Sequence, residues 1–498
     1  MTMRPLPRFI AAITLLLAPA TIPALAQEPS GLQAASALES VLVDAIAKSE
    51  RSVVAVARIR DSDGALDNEP RAKDATQPDV VPDDFGSGVV IDAKGLILTN
   101  YHVLGDLKNS TYYVWVQRKP YRAKVRAADP WLDLAVLSIE ASDLTPLGFG
   151  NANDLKKGQI VIALGNPYAI ARDGQPSASY GIVANLLRPA PRPKEAAERG
   201  EGRETLHHYG NLIQTDCKLE LGSSGGALIN LKGEMIGLTT SLAALSGYER
   251  TGGFAIPVDD SFRRAVESLK AGKLPEYGFL GVEPQILEAQ ERRQGRHGAR
   301  IRHVAAATPA AKAGIQEGDV ITHVNARAVS DEIDLMRHLG GLPPGETVAI
   351  TLQRGASETR PGRTLKIKVQ LSKKQIASLR PGFAEVVDPA WRGMKVEYAT
   401  ASPAFRDQSP LLDAEGCVAV VEVARDSPAW KAGMRPGEFI SHVGTTRVTT
   451  PRQFYQLVET QTGPVAIRLT AVGLDKAERT IGQSETPLEV PTQPDAES

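Results

Sequence analysis

Cysteine is nearly absent from this chain of 498 residues: Cys217 and Cys417 are the two it has. Two thiols cannot build a disulfide framework, so the small stapled scaffolds are excluded. Aromatic residues are scarce at 5%, while Gly (44) and Pro (34) are plentiful. That balance favours short strands joined by turns over a helical bundle. Neither sign of charge is in excess, with 57 Lys and Arg against 58 Asp and Glu. A nucleic-acid binder normally carries a clear basic surplus, so the balance argues against one. Beyond the N-terminus no apolar run is long enough to cross a bilayer. No His/Cys/Asp cluster with metal-ligand spacing and no phosphate-cradling Gly-Lys motif is present, so neither a metal nor a nucleotide cofactor is expected. What is there is an ordinary globular composition, 42% hydrophobic and 23% charged. The length suits about three domains at roughly 150 residues each.

The N-terminus has the three parts of a secretory signal peptide. Arg4 and Arg8 precede the apolar run Phe9–Ala18, and Ala24-Leu25-Ala26 supplies a small-x-small cleavage site. Cleavage after Ala26 and export to a bacterial periplasm are expected; the alternative is an uncleaved membrane anchor. Residues 31–50 carry Leu, Val and Ile at helical spacing. Arg51–Arg60 reads as a strand and 61–83, rich in Asp, Pro and Ala, as a long loop. From Gly86 to about Val258, short β-like runs alternate with Gly, Asn, Asp and Pro, which predicts a β-barrel or sandwich. Arg188–His208 interrupts them as a Pro- and charge-rich loop. Asp259–Lys270 reads as a helix capped by Asp259 or Asp260 and stopped at Gly272. The C-terminal half is duplicated. Thr308–Val329 (TPAAKAGIQEGDVITHVNARAV) returns 119 residues later as Ser427–Val448 (SPAWKAGMRPGEFISHVGTTRV).

Gly222-Ser223-Ser224-Gly225-Gly226 is a G-x-S-G-G motif. Glycines around a serine let the backbone turn tightly and aim successive N–H groups at one point, where they can hold an oxyanion. A serine nucleophile needs a base, and the base needs an orienting acid. His102 follows the apolar run ending at Thr99. Asp129 and Asp133 precede the apolar run Leu134–Leu137; Asp133 abuts it, whereas Asp129, before Pro130, also suits a turn. The chain order His, Asp, Ser within one β-rich segment is that of chymotrypsin-type enzymes.

At this point the chain resembles the HtrA/Deg family of trypsin-like serine proteases. The matching stretches include Gly86-Ser87-Gly88-Val89, Thr99-Asn100-Tyr101-His102-Val103, Asp133-Leu134-Ala135-Val136, Leu164-Gly165-Asn166-Pro167, Ile213-Gln214-Thr215-Asp216, Gly222–Gly226 and Gly253–Pro257. The two repeats resemble the PDZ domains that follow the protease in that family. The resemblance implies a mainly β fold: a chymotrypsin/trypsin-like double β-barrel, then two α+β PDZ domains. It also implies an ATP-independent endoprotease assembled as a homotrimer or a higher oligomer. His102 would be the general base, Asp133 its orienting acid and Ser224 the nucleophile. The N–H groups of Gly222 and Ser224, with Ser223 as a further candidate, would form the oxyanion hole. Leu219, Leu242 and the flanking Lys218 would line the S1 pocket, and an apolar P1 residue is expected. Ser223 stands where the family usually has Asn, and Lys218 and Glu220 place charge where it is mostly neutral.

The resemblance also divides the chain: signal peptide 1–26; N-terminal helix, first strand and loop 27–84; protease 85–270; first PDZ 275–373; PDZ-like unit 382–475; flexible tail 476–498. Phe279-Leu280-Gly281-Val282 resembles the loop that binds a peptide's terminal carboxylate. Aligning Val282-Glu283 with Val396-Glu397 puts Lys395 opposite Gly281, so the first PDZ is expected to bind peptide and the second to act in assembly or as a spacer. The leading function is degradation of unfolded or misfolded exported proteins. A non-proteolytic chaperone and a regulatory protease of one partner remain alternatives.

Overall fold

The computed structural model describes residues 31–60, 82–166, 175–190, 205–240, 253–355, 362–376, 381–387, 390–470 and 478–482. The signal-peptide expectation, most of the 61–83 loop, part of the Arg188–His208 loop and Leu242 lie outside these residues.

Two six-stranded antiparallel barrels form the first half. The first takes β1 (Val53–Arg60), β2 (Asp84–Asp92), β3 (Leu96–Thr99), β4 (Ser110–Val116), β5 (Lys119–Asp129) and β6 (Leu134–Ile139), and β5–β6 pairing closes it. The second closes β7 (Ile160–Gly165), β8 (Ser177–Arg188), β9 (Leu212–Thr215), β12 (Gly253–Pro257), β11 (Met235–Thr240) and β10 (Ala227–Ile229) on itself. Closure removes exposed strand edges. The period-2 alternation of strand side chains sorts the core into layers. Along β7, Val161 and Ala163 join the interior of the second barrel, whereas Ile162 and Leu164 join the larger core shared between the barrels. Helix Asp260–Lys270 adds Phe262, Ala265, Val266 and Leu269 to that shared core. Its cap is Asp259, whose carboxylate accepts from the Phe262 N–H at 2.8 Å.

β1 pairs with both β2 and β4, so the first barrel begins at Val53 and a boundary at 84/85 would cut through it. After the barrels come two sheets of one design. In the first PDZ-like unit the edge strand is Val282–Ile286 and its long helix is Glu332–Gly340; in the second they are Met394–Tyr398 and Pro451–Val458. The helix caps, Asp331 and Thr450, keep the 119-residue offset of the repeat. Two expectations need correction. Glu478–Ile481, read as part of the tail, pairs with Val465–Leu469 and closes the second PDZ sheet. Phe383–Ala384, read as the start of the second PDZ unit, instead pairs with Ala127–Ala128 of β5, on the first barrel. Hydrogen bonds cannot be left unmade along a buried strand; here the linker satisfies an edge of the first barrel.

Candidate active site

The hairpin register explains how residues 31 apart in sequence meet. β3 and β6 run antiparallel with Thr99 opposite Ala135. The residues just after β3 and just before β6 therefore lie at one end of the barrel. Asn100 starts the short helical turn Tyr101–Leu104, which carries His102. Asp133 adopts φ +53°, a left-handed conformation that Asp tolerates better than most residues. It is 2% exposed and fully engaged. Its Oδ2 pairs with His102 Nδ1 at 2.8 Å and its Oδ1 accepts the His102 N–H at 2.9 Å. Its carbonyl accepts the Tyr101 N–H at 3.1 Å and the Asn100 Nδ2–H at 3.1 Å. The imidazole is thus fixed in orientation through both ring and backbone.

Ser224 sits just before β10, in the second barrel, and the first barrel grips it. The Ser87 N–H donates to Ser224 O at 2.7 Å, and Ser87 Oγ donates to Gly222 O at 2.8 Å while accepting the Asn166 N–H at 2.7 Å. Gly86 fills the space between His102's neighbour and the serine: a Cβ there would stand 2.8 Å from Val103 Cγ1 and 3.1 Å from Ser224 O. The helical turn that carries His102 and the Ser224 loop thus both pack against Gly86 of β2. Gly225 has φ +85°, and a Cβ there would lie 2.1 Å from Ser87 O, so no other residue fits.

The oxyanion candidates separate. The Ser223 N–H donates to Glu220 O at 2.9 Å, which removes it from the set. The loop is held by Thr239 Oγ1 donating to Ser223 O at 2.5 Å and by Ser223 Oγ accepting the Glu220 N–H at 3.1 Å. A cleft of about 210 Å³ opens beside Ser223, lined by Ala163, Gly165, Ala178, Leu219 and Glu220 among others. Lys218 stands at its rim, exposed and ion-paired with Glu220 at 2.5 Å.

Residues 86–238 match the trypsin-like peptidase domain, and 278–371 and 420–472 each match a PDZ domain. A probable periplasmic serine endoprotease, DegP-like, of Ectopseudomonas mendocina (strain ymp) is 31% identical over 379 residues, covering 75% of this chain and 74% of that protein. The chain belongs to the HtrA/Deg family of serine endoproteases. The periplasmic pH-dependent serine endoprotease DegQ of Escherichia coli (strain K12) is 29% identical over 393 residues, 77% of this chain and 78% of DegQ. A solved HtrA-type protease, AlgW with decapeptide, is 24% identical, with a TM-score of 0.48 over 67% of this chain and 98% of that one.

Three features of this HtrA/Deg chain escaped the sequence. Ser87 was legible only as part of Gly-Ser-Gly, not as the clamp on the Ser224 loop. Asp129 is buried, and desolvation pushes its carboxyl up to about 6 despite bonds from Tyr277 and the Leu132 and Trp131 N–H groups. Tyr277 OH reaches it from the start of the first PDZ domain at 2.5 Å. The third is a register. Gly281 has φ +91° and its carbonyl accepts the Ala305 N–H; Gly393 has φ +82° and its carbonyl accepts the Ala424 N–H. A Cβ on either would lie 2.2 Å from the Cβ of the repeat's first residue, Thr308 or Ser427. Gly393, not Lys395, is therefore the counterpart of Gly281. Lys395 instead pairs with Glu422 on the neighbouring strand.

Proposed function

We propose that the chain is an exported, ATP-independent serine endoprotease that degrades unfolded or misfolded proteins in the periplasm and recognises C-terminal peptides through its first PDZ domain. The observation that carries this reading is the His102–Asp133 pair held beside the Ser224 loop. In the proposed mechanism His102 takes the Ser224 hydroxyl proton as Oγ attacks the scissile carbonyl. Asp133 holds the imidazole in the tautomer with Nδ1 protonated and stabilises the imidazolium that forms. The Gly222 and Ser224 N–H groups receive the oxyanion. His102 then protonates the leaving amine, and water releases the acyl group by the same base. Leu219 and the alanines of the neighbouring cleft favour a P1 residue such as Val, Leu or Ala. The periplasmic names of the relatives and the Arg4–Ala26 signal pattern support export.

The test is cleavage of unfolded casein. Ser224→Ala is expected to lower the rate more than about 1000-fold, since triad removal leaves only binding and oxyanion terms. Equal rates in wild type and variant would reject the protease. A strict requirement for one folded partner would reject quality control in favour of regulation.

A further inference from the structure

The duplicated geometry of the two PDZ domains fixes which way each edge-strand residue points. In the first domain Pro284 lies opposite Ile301. Ile301 spends both backbone groups on the far side: its N–H donates to Asp319 O and its carbonyl accepts the Gly318 N–H, each at 2.8 Å. Pro284 and Ile301 therefore form a non-hydrogen-bonded pair, and the backbone of Pro284 faces the open edge. Gly281 turns its carbonyl to Ala305, so Val282, next in the alternation, also faces the edge. This edge is where an added peptide strand would pair, beside helix Glu332–Gly340. Among the described residues, no acceptor engages the N–H of Leu280 or Gly281. Together with Val282 they offer a row of N–H groups suited to a terminal carboxylate.

Two residues further along, the row stops. Proline has no N–H, and within a sheet it is confined to the outward side of an edge for that reason. A strand entering from the carboxylate loop can donate to the Val282 and Pro284 carbonyls. Its own carbonyl opposite Pro284 finds no donor. We infer that Pro284 is a specificity-determining residue that restricts the first PDZ domain to reading the last residues of a chain: the carboxylate and its adjoining side chain, without an extended backbone ladder.

The second domain shows what the same position looks like with its N–H present. Val396 lies opposite Val420, which likewise spends its N–H on Glu438 O and its carbonyl on the Gly437 N–H. The outward Val396 N–H donates to Tyr455 OH at 3.0 Å. Tyr455 sits on the domain's own helix at the repeat offset from Met336, which has no hydroxyl. One step earlier, Met394 exchanges both backbone bonds with Trp391 at 2.9 Å. The second groove is thus closed from within, and the central N–H is withheld from peptide in both domains by different means.

This inference rests on peptide capture by the first PDZ domain. The test uses the full chain with Ser224→Ala to prevent cleavage, and peptides of three, five and eight residues with one shared C-terminal sequence, read by fluorescence anisotropy. An amidated eight-residue peptide is the control. Wild type is expected to bind all three free-acid peptides within about twofold. Pro284→Ala is expected to bind each of them about 2- to 10-fold more tightly than wild type does, the size of one net hydrogen bond, because all three contain the third-from-last residue whose carbonyl lies opposite position 284. Equal affinities in the two proteins would overturn the role of Pro284. No binding by either protein, or indifference to amidation, would reject C-terminal capture itself and the inference with it.

Discussion

The two PDZ domains share a sequence repeat, a sheet order and a positive-φ glycine, yet one edge is open and the other is sealed. The difference arises at three places. Leu280 of the first domain corresponds to Arg392 of the second, whose guanidinium donates to the carbonyls of Gln461, Gly463, Ile481 and Gly482. Phe279 pairs outward with Ser372, while Trp391 folds back on Met394 and packs edge-on against Phe454 at 5.7 Å. Met336 corresponds to Tyr455. Each change in the second domain turns a group that could meet a ligand toward the domain itself. Duplication preserved the frame, and a few side chains decided whether the frame accepts a guest. The domains also differ in what they rest on. The first meets the protease through Tyr277 on Asp129 and through the Trp131 indole N–H, which donates to Gly340 O at 2.9 Å. The second meets the first through Lys373–Glu397 and through Thr400, whose hydroxyl contacts Ser372 and Lys373.

The largest effect should come from Arg392→Met. Four carbonyls lose a charged donor, and the second domain should lose about 3 kcal/mol, read as a lowered first transition in calorimetry. Leu280→Met, the matching change in the first domain, should cost less than about 1.5 kcal/mol. Similar losses at both sites would break the comparison. The next effect separates the two anchors by pH. Burial raises the folded-state value of Asp129 from 3.8 to about 6. The folded protein therefore holds a proton that the unfolded chain releases. That stabilisation is complete below pH 3.8 and is lost as pH rises through about 6. Relative to Asp129→Asn, wild type should lose on the order of 2 kcal/mol across this window. A parallel pair of stability curves would refute the assignment. The smallest effect concerns the seal. Tyr455→Phe should cost about 1 kcal/mol and speed hydrogen exchange at the Val396 amide, leaving Met394 protected by Trp391. Unchanged exchange at Val396 would show that the hydroxyl is not its partner.

Much of the architecture was legible because its signals are local or repeated. The strand runs, the Gly-rich serine loop and the duplicated Pro-Ala-x-Lys-Ala-Gly segment each encode a turn or a face directly. His102 and Asp133 could be paired because both border apolar runs that become neighbouring strands. What the sequence hid depends on register and on distant contact. The Val-Glu dipeptides at Val282 and Val396 look equivalent, but the backbone places Gly281 with Gly393, because a positive φ and a close approach to Thr308 or Ser427 outrank side-chain likeness. Glu478–Ile481 is polar on its outward face, with only Ile481 fully buried, so its pattern resembles a tail. The linker strand at Phe383–Ala384 is two residues long and carries no periodicity at all. Ser223 could not be excluded from the oxyanion set until its N–H was seen to be spent on Glu220.

That two-residue strand changes how the domains are wired. Besides pairing with Ala127–Ala128, its segment sends Glu385 to Arg126, the Val386 N–H to Gly272 O and the Pro381 carbonyl to Tyr101 OH, at 2.7, 2.9 and 3.0 Å. Tyr101 is the residue before His102. The chain leaves the first PDZ domain, is stitched to the barrel that carries the histidine, and only then enters the second. The second PDZ domain is therefore tied to the protease by its linker as well as through its contacts with the first. A pull on the second domain thus has a route along that linker to the seam beside His102, beside the one through Lys373 and Ser372.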